Sequence, residues 1–140
     1  MQETKHRTAI EILSDFYEKE SIFLSPEGGD FSILAENIHP DCVMYQSTSL
    51  PYGGEWKGPQ GFHDWMKAFG ETFSRVDVIE SEMLDCGDVV VSRITADATA
   101  RATGKDLTYQ VLQYVKCVDG QLYEFRPYYW DIPALLEALG

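Results

Sequence analysis

The chain is 140 residues long and 44% hydrophobic, and its 11 Lys plus Arg face 23 Asp plus Glu, a formal charge of −12. That length makes one domain, residues 1–140, large enough to bury its own core. A field of that sign repels phosphate backbones and anionic lipid, which argues against nucleic acid and membrane surfaces as partners.

No apolar run approaches the roughly 18 residues of a membrane span. Met1 to Arg7 leads into an amphipathic segment without a signal-like apolar stretch, so a cytoplasmic protein is expected. From Thr4 to Ile22, residues Ala9, Ile10, Leu13, Phe16, Tyr17 and Glu20 recur at three- and four-residue spacing. This predicts an amphipathic helix with Phe16 and Tyr17 on or beside its buried stripe. Ser25-Pro26-Glu27-Gly28-Gly29 predicts a loop. Asp30 then stands as N-cap of a short second helix through Phe31, Leu34 and Ile38, ended by His39-Pro40-Asp41.

Cys42 to Thr48 alternates as a strand, with Val43, Tyr45 and Ser47 on one face and Cys42, Met44 and Gln46 on the other. Pro51-Tyr52-Gly53-Gly54 predicts a turn. Gly58-Pro59 opens a third helix, since proline lacks only an N–H that a first turn leaves unbonded anyway. Its apolar stripe is Phe62, Trp65, Met66, Phe69 and Phe73.

Four strands follow: Arg75 to Leu84, Val89 to about Arg101, Leu107 to Val118, and Leu122 to Trp130. The dipeptide Asp119-Gly120 between the last two is a strong hairpin signal. Ile132 to Leu139 closes the chain as a small helix. Helices grouped first and hairpins grouped last predict an α+β fold. A strongly curved antiparallel sheet wrapped around a long helix would enclose a cone-shaped cavity.

The tail carries the most chemistry. Strand alternation places Tyr123, Phe125, Pro127, Tyr129 and Asp131 on one side. Ring-lined surroundings solvate a carboxylate poorly and raise its proton affinity, so Asp131 is a candidate acid/base group. It also precedes Ile132-Pro133 and can cap the last helix; both roles stay open. Trp56, Trp65, Met66 and Phe69 either line a cavity or simply fill the core. Arg93 shares a face with Val89, Val91, Thr95 and Asp97, and an outer-surface position is preferred to a cavity position. His6, His39 and His63 and Cys42, Cys86 and Cys117 show neither metal-ligand spacing nor a Cys-x-x-Cys pair. No metal or cofactor is expected, and the thiols read as small apolar residues.

Several segments together resemble the SnoaL-like and ketosteroid-isomerase-like group of the nuclear transport factor 2-like superfamily. They are His39-Pro40-Asp41-Cys42-Val43-Met44-Tyr45, the stretch from Ser49 to Gly58, the Phe62 to Phe73 helix, and the closing hairpin from Asp119 to Asp131. The resemblance implies a cone-shaped barrel (a cystatin-like roll) with a pocket for a small apolar or aromatic ligand. It also implies a homodimer formed through the outer face of the sheet. The isomerases' general base falls at Gln46, an amide that can bind a carbonyl but cannot take an α-proton. Their oxyanion donors fall at Phe16, with Tyr17 beside it, and at Tyr114, which can donate to a developing oxyanion. Asp131 falls where SnoaL-like cyclases place an acid/base Asp. The implied ligand-binding set is Phe16, Tyr17, Met44, Gln46, Trp56, Phe62, Trp65, Met66, Phe69, Phe125 and Tyr129. Three functions are carried forward. One is a cofactor-independent cyclase-like or isomerase-like enzyme acting on an apolar carbonyl compound, with Asp131 and Tyr114 catalytic. The others are a non-catalytic binder of an apolar metabolite and a dimerising adaptor domain.

Overall fold

The computed structural model describes residues 7–23 and 28–140. The expected helix start at Thr4 and the Ser25 to Glu27 part of the expected loop lie outside them. Helix α1 (Ala9–Phe23) begins with a capping box. Thr8 Oγ1 accepts from the Glu11 backbone N–H at 3.2 Å, and the Glu11 carboxylate accepts from the Thr8 N–H at 2.8 Å. Its buried stripe is Ala9, Ile12, Leu13 and Phe16.

The second helix, α2 (Ser32–Ala35), is a single turn, shorter than the spacing predicts. Ile38 instead opens β1 (Ile38–Gln46), because the last strand recruits it: the Leu122 N–H donates to Asn37 O at 2.7 Å. Strand β2 (Gly54–Lys57), not expected from sequence, follows directly on the Pro51 to Gly54 turn, pairs with β1 and puts Trp56 beside Met44. Helix α3 (Gly58–Thr72) has its proline in the first turn as expected. Phe73, expected on that helix, begins β3 (Phe73–Cys86). Strands β4 (Val89–Ala100), β5 (Asp106–Val118) and β6 (Gln121–Tyr129) and helix α4 (Ile132–Leu139) complete the chain. In the β5–β6 turn, Asp119 and Gly120 both take positive φ, 53° and 76°, the backbone a two-residue type I′ hairpin requires.

One sheet of order β2-β1-β6-β5-β4-β3 results. It is antiparallel at every seam but one: β1 and β6 run parallel, which the expected all-antiparallel sheet missed. A parallel pair needs a long crossover, and here most of the chain supplies it. Helix α1 packs on β3 to β6 and α3 on β1 and β2, both on the concave side. A polar clamp fixes α1 to the start of β1: Asp15 binds Lys19 Nζ at 2.9 Å and accepts from Asn37 Nδ2 at 3.0 Å. These contacts hold the Asp15 carboxyl down at about 2, the Lys19 hydrogen bond contributing most. Cys42 and Cys117 are buried, and desolvation lifts their thiols to about 12 and about 11, which suits packing rather than reactivity.

Candidate functional site

Period-two alternation decides what each strand offers the concave side. On β4 the inward row includes Val90, Ser92, Ala96 and Ala98, all fully buried. On β5 the inward row includes Tyr109, Val111, Gln113 and Val115, and on β6 it includes Phe125, Pro127 and Tyr129. Rings from the helices close over these rows in two groups. Phe16, Phe62 and Phe125 meet at centroid distances of 5.9 to 6.3 Å, with Tyr17 beside Phe16. Tyr52, Trp65, Phe69, Phe73, Tyr109 and Tyr129 form the second group, with Tyr52 contacting four of the other five. Tyr52 reaches this position because Gly53 lets the loop fold tightly: a Cβ there would lie 2.1 Å from Ser47 O.

The structure packs the expected ligand-binding residues into or against one core cluster, and of them only Tyr129 also lines the cavity under α4. Phe16, Met44, Phe62, Trp65, Met66, Phe69 and Phe125 are buried in one cluster, and Tyr17, Trp56 and Tyr129 pack against it. Gln46 is buried on the inward face of β1, and its amide donates to Met44 Sδ at 3.2 Å. Arg93 lies on the convex face as preferred, near Glu82 at 3.5 Å and Glu80 at 3.7 Å.

Two expected catalytic residues are not in the interior. Tyr114 alternates with inward Gln113 and Val115, so it projects from the convex face, level with Val91 and Arg126. Asp131 is exposed and caps α4, its Oδ1 accepting from the Ala134 N–H at 3.1 Å. The inward row of β6 ends at Tyr129, the chain bends at Trp130 (83% exposed), and the alternation no longer carries Asp131 inward. Tyr123 also departs from the expected row: a register irregularity opposite Lys116 and Cys117 turns it outward.

Among the interior polar groups, sequence reasoning named Tyr17, Gln46, Trp65 and Tyr129 as candidates but not Tyr52, Gln113 or Glu20. The Tyr17 hydroxyl donates to Gln113 Oε1 in a short bond. The Tyr52 and Tyr129 hydroxyls share a hydrogen bond of 2.7 Å. Glu20 follows Phe16 by four residues and Tyr17 by three, on the face α1 presents to the sheet. It keeps some accessible surface, yet protein surrounds it so deeply that burial alone lifts its carboxyl to about 7. The signal was visible as a Glu on an apolar stripe. Gln46 Oε1 and Trp65 Nε1 are buried with no hydrogen-bond partner among the described residues. A cavity of about 280 Å³ opens under α4, walled by Leu107, Tyr109, Tyr129 and Leu135, with Trp130 and Asp131 among its lining. Among the described residues no cluster of His, Cys, Asp or Glu could hold a metal ion.

Comparison with known proteins places this arrangement in context. The profile of the SnoaL-like domain matches residues 25–125. A nuclear transport factor 2-like protein from Burkholderia thailandensis superposes with a TM-score of 0.82 at 19% identity, covering 96% of this chain and 98% of that one. A candidate SnoaL-like polyketide cyclase from Jannaschia sp. gives 0.78 at 15% identity, covering 99% and 97%. TerC, co-crystallised with polyporic acid, gives 0.76 at 18% identity, covering 94% and 97%. No curated protein matches the sequence.

Proposed function

The chain belongs to the SnoaL-like domain family, and from that premise we propose that it takes a flat, apolar carbonyl compound into its aromatic interior and acts on it by cofactor-independent acid/base chemistry, as a cyclase-like or isomerase-like enzyme. The observation that carries this reading is that three buried polar atoms, Gln46 Oε1, Trp65 Nε1 and Ser92 Oγ, have no partner among the described residues, the first two packed among rings and Met side chains. An unpaired buried polar group costs about 1–3 kcal/mol. Such groups are retained where a ligand or water completes them, and a few polar atoms on apolar walls characterise small-molecule sites. TerC's co-crystallisation with polyporic acid supports a small organic ligand for this fold.

This reading assigns the reaction to neither Tyr114, on the convex side, nor Asp131, which caps α4 at the rim of the cavity. A non-catalytic binder is the second reading, favoured by an amide rather than an acid at Gln46. Isothermal calorimetry with 2-tetralone, a flat apolar ketone, tests the pocket. Binding that weakens about tenfold (~1.4 kcal/mol) in Gln46→Leu supports it; no detectable binding to the wild type rejects it.

The protein works as a homodimer in the cytoplasm in this reading. Strand register aligns Arg93, Leu112 and Tyr128 in one row across the convex face, with Val91, Tyr114 and Arg126 in the next. Arg126 adds a cation–π contact, its Cζ 3.8 Å from the Tyr45 ring centroid. Exposed Leu112 and Tyr128 beside arginines have the composition of an interface core. No described helix is long and apolar enough to cross a membrane.

A further inference from the structure

We propose that the cavity under α4 is a second binding site, which takes a short extended peptide of alternating apolar and basic side chains onto the open edge of β5. The proposal goes beyond the interior pocket and does not rest on it. It starts from where β5 sends its backbone groups. The Ala100 N–H donates to Lys105 O at 2.8 Å at one end of the β4–β5 pair, and the Cys117 N–H donates to Asp88 O at 2.9 Å at the other. No register shift interrupts the pair between them, so odd-numbered residues of β5 turn their N–H and C=O to β4 and even-numbered ones turn away. Strand β6 serves those even residues only as far as Gln110, whose carbonyl accepts from the Trp130 N–H at 3.0 Å. The chain then turns into α4. Thr108, an exposed residue, is thus left with a backbone donor and acceptor that have no partner among the described residues. Such an edge accepts an added strand.

The cavity of about 280 Å³ lies along this stretch. Leu107, Thr108, Tyr109 and Gln110 line it, and Ala134 and Leu135 of α4 form another wall. That volume, close to the lower limit for small-molecule pockets, admits a short segment rather than a folded partner. An extended residue opposite Thr108 exchanges both N–H···O bonds with it, as opposed residues of an antiparallel ladder do. Alternation then fixes the side chains. The residue opposite Thr108 projects to the convex face, in the row of Asp97, whose Oδ1 accepts from Thr108 Oγ1 at 2.6 Å. Asp106 lies diagonally from it on the same face, within reach of a long side chain. Arg75 is shared between Asp77 at 2.6 Å and Asp106 at 3.7 Å, so this group of carboxylates keeps an excess of negative charge. Asp131 lines the cavity and no Lys or Arg does. A Lys or Arg opposite Thr108 complements that field. The ligand residues before and after it project to the concave side, onto the apolar surface of Leu107, Tyr109, Tyr129 and Leu135.

The probe is Ac-Leu-Lys-Leu-NH2, titrated into the intact, isotope-labelled protein and followed by amide NMR. Saturable shifts are expected at Thr108 and Gln110, with Gln46 and the Trp65 indole unmoved. Methylating the backbone nitrogen of the peptide's Lys removes the donor to Thr108 O and should weaken binding at least tenfold, as should replacing that Lys by Glu. Ala134→Trp fills the cavity and should abolish binding with circular dichroism unchanged, whereas Glu18→Gln, exposed on α1, should match wild type. Equal affinity for the methylated peptide, or no shift at Thr108, overturns the assignment. Shifts at Gln46 and Trp65 in place of Thr108 also overturn it, since they put the peptide in the interior. Thr108 shifts that follow protein concentration without peptide give the edge to a second copy and overturn it as well.

Discussion

Tyr52 and Tyr129 meet hydroxyl to hydroxyl at 2.7 Å, one from the loop after β1 and the other from the end of β6, inside a shell of Trp65, Phe69, Phe73 and Tyr109. This bond ties the segment leading into α3 to the far edge of the cavity. Desolvation raises both phenols, so neither ionises under ordinary conditions and the bond persists across the working pH range. Tyr129→Phe leaves the Tyr52 hydroxyl buried and unpaired, and should cost about 1–2 kcal/mol in urea denaturation. The Tyr52→Phe, Tyr129→Phe double variant should cost less than the sum of the singles, since the second change removes the stranded group. Strict additivity would show that the two hydroxyls do not depend on each other.

Glu20 makes stability depend on pH with a definite sign. Its folded-state carboxyl lies at about 7, above an unfolded carboxyl near 4.5, so between those values the folded chain holds a proton that the unfolded chain has released. Stability therefore falls as pH rises through that window, and the full cost is present above it, up to about 3 kcal/mol. Glu20→Gln should stabilise the protein by up to that amount at pH 8 and leave it unchanged at pH 4. Equal effects at the two pH values would mean that the carboxyl is solvated.

Asp15 acts in the opposite sense. Its carboxyl is held at about 2 by Lys19 and Asn37, so its contribution is complete above pH 4 and is lost as pH falls toward 2. Asp15→Asn should be less stable than wild type at pH 6, and the difference should close by pH 2. Guanidinium melts at the two pH values read this directly.

The Asp131 carboxylate should matter to α4 rather than to chemistry. Asp131→Ala removes the acceptor for the Ala134 N–H and should cost about 1 kcal/mol, whereas Asp131→Asn, also a good cap, should cost only a few tenths. Thermal melts separate the two. A large loss of 2-tetralone binding in Asp131→Asn would return the carboxylate to the functional site.

The proposed dimer is checked through its row of exposed side chains. Leu112→Lys combined with Tyr128→Lys places four added cations across a two-fold interface and should yield monomers in sedimentation velocity, with circular dichroism unchanged. Wild type sedimenting as a monomer would remove the dimer from the account.

Features that depend on neighbours in sequence were legible: the α3 stripe, the Asp119-Gly120 hairpin, and the inward face shared by Met44 and Gln46. Which face of β5 turns inward was not. Tyr109, Val111 and Gln113 alternate with Gln110, Leu112 and Tyr114, so both rows mix polar and apolar groups, and only packing under α1 separates them. Asp131 was misplaced because alternation holds only while the strand lasts. Glu20 was visible on its stripe, but a long acidic side chain there normally reaches back to water. Only the tertiary fold shows that this one is half-buried, with desolvation raising its carboxyl. The pairing of Ile38 with Leu122 joins distant segments, which no local pattern reports.

The parallel seam between β1 and β6 also dictates when the molecule can become whole. Apart from short β2, the first strand has no ladder to join until the final strand has been synthesised. A nascent chain lacking its closing hairpin can build α1 and the β3–β4–β5 meander, but must leave Met44, Gln46 and the underside of α3 wet. Assembly of the chamber thus waits on the synthesis of β6, and truncation into β6 should abolish the chamber outright rather than merely shorten the protein.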